Sequence, residues 1–125
     1  MTREALTTNK IALPVGPFSP AVRAGEFVYL SGQVAQDPAT ERLIAGDVAM
    51  QTDRIFKNIQ AILDTAGRTM ADVVKATVFL IDMRDFPAMN AVFGRYFEAP
   101  YPARTTVAVM ALPLGAKIEI DLVVK

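Results

Sequence analysis

Arg104 and Thr106 lie two positions apart in the run Pro102 to Val109, which puts a permanent cation and a hydroxyl on one face of a strand, with Thr105, Val107 and Val109 on the other. A guanidinium presents its N–H donors in a planar fork that suits a carboxylate held through two hydrogen bonds, although a surface ion pair would use the same residue. Beyond a linker containing Pro113 and Gly115, Glu119 sits in a second β-branched run, Lys117 to Val124, and offers a carboxylate able to orient or deprotonate a water. If the two runs form a simple hairpin with Ala111 opposite Lys117, then Val109 faces Glu119 and Arg104 faces Val124. That register separates Arg104 from Glu119 by about 17 Å at ~3.4 Å per residue. A site using both then needs a ligand between them or a second copy of the chain.

Four further residues could line such a site, and each has an ordinary structural explanation beside the functional one. Ser31 has no histidine and no obvious lysine base in sequence to activate it, which argues against a hydrolytic triad. Gly32, inside an apolar strand, marks either a close approach by another group or a bulge. Phe18 projects from the shaped loop Val15 to Pro20, as an aromatic plug over the core or as one wall of a ligand pocket. Asn90 falls beside the apolar stripe of a helix, where it is surface-exposed or a buried amide in need of partners.

Composition narrows the chemistry. The 125 residues contain no cysteine and no histidine, which removes thiolate nucleophiles, disulfides, the commonest general base near neutral pH and the usual nitrogen ligands for transition metals. No all-oxygen calcium loop is present, so no metal is expected, and no glycine-rich nucleotide-binding pattern occurs. Lysine plus arginine equals aspartate plus glutamate at 13 each, a balance that argues against nucleic acid as the main partner. The N-terminus lacks an apolar run long enough for a signal peptide, and no stretch is long enough to span a membrane, so the chain reads as cytoplasmic.

The elements that must position these side chains follow from periodicity and turn chemistry. A first strand is expected over Lys10 to Leu13, then a hairpin in which Ala21 to Arg23 and Phe27 to Val34 flank Ala24-Gly25-Glu26. Strict alternation groups Gly32 with Val28, Leu30 and Val34, and Ser31 with Phe27, Tyr29 and Gln33. After a turn at Asp37 to Glu41, apolar positions from Val48 to Ala66 recur at helical spacing, with Asp47 as cap, Gly67 as stop, and Gln51, Asp53, Arg54, Lys57, Asn58, Gln60 and Asp64 on the polar arc. Thr69 to Asp72 reads as a capped turn and Val73 to Ile81 as a central strand covered on both faces. Asp82 or Asp85 then caps a second helix carrying Phe86, Met89, Val92 or Phe93, and Tyr96 or Phe97 on its apolar side.

The resulting order, βββ-α-β-α-ββ, specifies an α+β fold with two helices on one side of a mixed sheet, built as one domain over residues 1–125 with 52% hydrophobic residues. Two helices cannot cover both faces. The other face is too apolar to stand in water, so a homo-oligomer is expected.

The segments VGPFSPAV, FVYLSGQVA, VVKATVFLIDMRDF, Asn90 and PARTTVAVMALPLGAKIEID together resemble the RidA (YjgF/YER-type) family of reactive-intermediate deaminases over nearly the whole chain. The resemblance implies a chorismate-mutase-like subunit in a homotrimer with clefts between subunits. It also implies hydrolysis of enamine or 2-imino acids, of the 2-iminobutanoate and 2-iminopropanoate type, to 2-oxo acids and ammonia, without a cofactor. Arg104 corresponds to the family's carboxylate-binding arginine and Glu119 to the acid beside the attacking water, while Ser31, Gly32 and Asn90 match cleft positions. Phe18 stands where tyrosine is frequent, Thr106 replaces a frequent cysteine, and Thr105 differs from the small residues usual there. A binding or regulatory protein of the same fold, without turnover, is the alternative reading. An endoribonuclease is a further label attached to the family.

Overall fold

The computed structural model describes residues 2–125; Met1, the first residue of the expected domain, lies outside the described residues. Strands β1 (Glu4–Leu6), β2 (Ala21–Ala24) and β3 (Phe27–Gln33) precede α1 (Val48–Ala66), β4 (Val73–Leu80), α2 (Phe86–Tyr96), β5 (Ala103–Ala108) and β6 (Ile118–Val124). The strands form one sheet in the order β1-β2-β3-β6-β4-β5, antiparallel throughout except for the parallel pair β4 and β5. The expected first strand over Lys10 to Leu13 is loop instead, and Glu4–Leu6 pairs with β2 in its place.

Local chemistry sets the helix ends. The Asp47 carboxylate accepts from the Met50 N–H at 2.9 Å, capping α1, and Gly67 closes it in the left-handed conformation at φ 66°. Thr69 and Asp72 close a capping box over the single turn Met70–Asp72. Asp82 caps a second short turn, Met83–Asp85, which runs directly into α2.

Both helices pack on one sheet face. Ile55, Phe56, Ile59 and Leu63 of α1 and Met89 and Phe93 of α2 meet Val28, Ala76, Val78, Leu80, Ile118, Ile120 and Leu122 in one buried core. Phe56 stacks on Tyr96 and meets Phe93 and Phe97 edge-on, which joins the helices. Two members of the expected polar arc are buried as well. Gln51 Oε1 accepts from the Lys117 N–H at 3.0 Å and Asn58 Nδ2 donates to the Gln36 carbonyl at 2.9 Å, so their amides tie α1 to the loops around it.

The opposite face is uncovered in the chain. Tyr29 and Val107 are exposed there, and Phe79, Glu119 and Val123 are half-buried. The expectation that Val73 to Ile81 is covered on both faces is therefore corrected: Val73, Ala76, Val78 and Leu80 are buried, whereas Lys75, Thr77 and Phe79 line the open side.

The simple hairpin of the last two strands does not form. β5 runs parallel to β4 at the sheet edge, with Ala76 beside Arg104 and Leu80 beside Ala108, and β6 inserts between β3 and β4. The physical reason is α2, a crossover long enough to return the chain parallel to β4. β6 alternates buried and half-buried residues along its whole length and takes the centre, while β5 keeps Ala103, Thr105 and Val107 exposed at the edge.

Candidate active site

Register decides which side chains can meet. Arg104 pairs with Ala76 and Thr106 with Val78, both fully buried beneath the helices, so the two polar residues face the helix side. Glu119 pairs with Phe79, which pairs with Val107, and all three face the open side. Arg104 and Glu119 thus lie on opposite faces of the sheet. The inference that they cannot pair within one chain stands, but because of face rather than distance along a hairpin.

The first group of site residues clusters at the edge near α2. The Arg104 guanidinium carbon lies 4.7 Å from the centre of the Phe93 ring and 5.5 Å from that of Phe86. Among the described residues Arg104 forms no ion pair, and burial lowers its pKa from the ordinary guanidinium value while leaving it a cation. Next to it the Thr106 hydroxyl oxygen is buried with no hydrogen-bond partner among the described residues. Such an orphan costs stability unless something supplies the missing bond. Asn90 is exposed, one turn from both Phe86 and Phe93 on α2, so it stands on the rim of the same patch.

The second group lies in a cleft of about 530 Å³ on the other side, lined by Phe18, Ser31, Gly32, Leu114 and Glu119 among others. A bulge builds it. Leu30 pairs with Leu122 but Gln33 pairs with Ile120, so three steps along β3 answer two along β6. The extra residue flips the alternation expected for β3, moving Gly32 from the face of Val28 and Leu30 to that of Glu119. There a Cβ on Gly32 would stand 2.8 Å from Glu119 Cδ and 3.1 Å from Cγ, so glycine is what lets the carboxylate lie flat on the strand. Bulge and close approach, the two explanations open for this glycine, are one feature.

Ser31 donates from its hydroxyl to the Ser19 carbonyl at 2.6 Å, and its N–H donates to the Pro20 carbonyl at 2.9 Å. The hydroxyl is engaged in holding the Phe18 loop against β3. Phe18 itself is 53% exposed, which rules out a plug over the core and makes it a cleft wall. Glu119 has its pKa raised, first by desolvation and then by the like charge of Asp121.

Residues missed in sequence complete the picture. Gln51 fixes the backbone at Lys117, two residues ahead of Glu119; a neutral amide next to the apolar stripe of a charged helix was the available signal. The Phe86 and Phe93 rings seat the cation from a neighbouring element, a contact that register alone could reveal.

A mixed sheet with two helices on one face, bearing a desolvated arginine on one side and a perturbed carboxylate in a cleft on the other, defines the class. The chain belongs to the RidA (YjgF) family: the family model described as Endoribonuclease L-PSP matches residues 8–125. A 2-iminobutanoate/2-iminopropanoate deaminase of Dermatophagoides farinae is 38% identical, the match covering 98% of this chain and 95% of that one. The crystal structure of RidA from the Antarctic bacterium Psychrobacter sp. PAMC 21119 superposes with a TM-score of 0.93 at 42% identity, covering 97% of this chain and 98% of that one. E. coli TdcF with bound serine superposes at 0.91 with 34% identity and covers 97% of each chain. Names within the family thus point both to imine deamination and to RNA cleavage.

Proposed function

We propose that the chain is a homotrimeric deaminase that hydrolyses 2-imino acids and their enamine tautomers, of the 2-iminobutanoate and 2-iminopropanoate type, to 2-oxo acids and ammonia. Arg104 and Thr106 of one protomer, with Asn90 at the rim, hold the substrate carboxylate. Phe18, Ser31, Gly32 and Glu119 of its neighbour surround the imine carbon. The observation that carries this reading is the division of the site. An unpaired guanidinium beside an orphaned hydroxyl and a perturbed carboxylate in a cleft lie on opposite sheet faces, and the open face offers the apolar surface on which copies would pack.

The chemistry is within reach of so small a set of groups. Water attacks the imine carbon while Glu119, as carboxylate, takes its proton; the C=N π pair moves to nitrogen and gives a carbinolamine. Glu119, now a carboxylic acid, returns the proton to nitrogen. It then takes the carbinolamine hydroxyl proton and passes it to the same nitrogen as the oxygen lone pair closes the C=O bond and the C–N bond breaks. The 2-oxo acid and ammonia leave with the carboxylate restored. A carboxyl with a raised pKa suits both halves of this cycle, and one such group is worth about 10²- to 10⁴-fold. The imine carbon is already electrophilic, so no cofactor is required. The serine seen on the similar TdcF carries the carboxylate that Arg104 would grip.

The test is the decay of 2-iminobutanoate generated in situ, followed with the wild type and with Arg104→Ala. The proposal expects accelerated decay with the former and the buffer rate with the latter. Buffer rates with both would leave only binding without turnover. The family model's description favours an endoribonuclease reading, which the zero net charge and the absence of histidine oppose; RNA cleavage persisting in repurified Arg104→Ala would restore it.

A further inference from the structure

Leu114, in the turn Pro113–Gly115 ahead of β6, is held at φ 60° and ψ 16°. Glycine enters this left-handed region freely, whereas a leucine is strained there, so an outlier of this kind asks for a reason. Packing within the chain does not supply one. The Leu114 side chain is 62% exposed, and it lines the same cleft as Glu119, Ser31 and Gly32. Leu13 and Phe18, both exposed apolar side chains, line that cleft too. Glu119 lines the same cleft, and its carboxylate opposes a second carboxylate entering beside it.

We propose that Leu114 is a specificity-determining residue: with Leu13 and Phe18 it forms the apolar wall that receives the substrate's side chain. The cleft thereby favours 2-imino acids with extended aliphatic side chains over those with a methyl or an acidic one. This rests on the deaminase reading, which places the imine carbon at Glu119 and hence the substrate side chain in the cleft that these three residues line. Strain and exposure at Leu114 then have a common cause, since the side chain is presented to a ligand rather than to the core.

The experiment uses the full chain and imines generated in situ from alanine, leucine and aspartate by an amino-acid oxidase with catalase present. For the wild type, kcat/KM should rank leucine-derived above alanine-derived above aspartate-derived substrate. Leu114→Gly and Leu114→Asn both tolerate the left-handed backbone, and each should lower the leucine-to-alanine ratio of kcat/KM about tenfold, chiefly through the KM of the leucine-derived substrate, with the oligomer mass retained. Equal losses on all substrates, or dissociation of the oligomer, would assign Leu114 to a contact between protomers and overturn the proposal. If the wild type turns over no imine, the deaminase reading fails by itself, and calorimetry with pyruvate and 4-methyl-2-oxopentanoate still decides about the wall. A preference for the longer acid that Leu114→Asn abolishes supports it, and equal affinities refute it.

Discussion

Replacing Gly32 by alanine separates what this residue does for the fold from what it does for the site. The backbone there does not occupy the left-handed region, so alanine fits the local conformation, and the lost freedom of the unfolded chain should stabilise the fold by about 0.4–1 kcal/mol. Against this, the new methyl carbon meets Glu119 Cδ at 2.8 Å. Carbon atoms sit comfortably at roughly 3.5–4.0 Å, so the carboxylate must retreat by about 1 Å, which the end of a flexible side chain can do without distorting β6. Stability should therefore stay within about 1 kcal/mol of wild type, while a displacement of about 1 Å at a reacting group costs on the order of 10²-fold in kcat. Urea unfolding gives the first quantity and imine turnover the second. Wild-type turnover by Gly32→Ala would show that the carboxylate's position is irrelevant. A stability loss above about 2 kcal/mol would show that the contact is locked by packing rather than yielding at a side-chain tip.

Three other substitutions probe the remaining groups. Because the Glu119 pKa is raised in the fold, the native state binds protons more tightly than the unfolded one and loses stability as pH rises from the ordinary value of 4.5 through the folded value. Glu119→Gln should be more stable than wild type at pH 7, with the gain disappearing below about pH 4.5 in unfolding curves, and its turnover should fall to near the buffer rate. Thr106→Val removes the orphaned hydroxyl at nearly constant shape and should raise stability by about 1 kcal/mol, while KM rises if that oxygen meets the substrate. Tyr96 donates to Asp53, and burial, followed by this hydrogen bond, raises its pKa to about 12. Tyr96→Phe should cost about 1 kcal/mol in thermal unfolding with imine turnover unchanged, since the pair ties α2 to α1 away from the cleft.

Most elements were legible because local rules and tertiary packing agree. Asp47 and Gly67 bound α1 as capping chemistry requires, and the Ala24-Gly25-Glu26 turn sits where β2 meets β3. Arg104 and Thr106 share a face because β5 is regular. What could not be read was pairing. Adjacent strands usually pair, and that prior favoured a hairpin of the last two strands, but α2 between β4 and β5 supplies the crossover of a parallel pair. Alternation also failed at Gly32, since one extra residue in a bulge reverses every assignment beyond it. Gln51 and Asn58 read as solvated because a period places residues on an arc without showing which loops close over its edge.

The central claim is that the arginine and the carboxylate of one site come from different copies of the chain. Arg104→Ala and Glu119→Gln, each inactive alone, can be co-refolded in equal amounts, with mass spectrometry confirming mixed oligomers. Random assembly around a symmetry axis joins an intact Arg104 to an intact Glu119 at about a quarter of the sites, so about a quarter of wild-type imine turnover should return. Mixed oligomers as inactive as their parents would contradict the account.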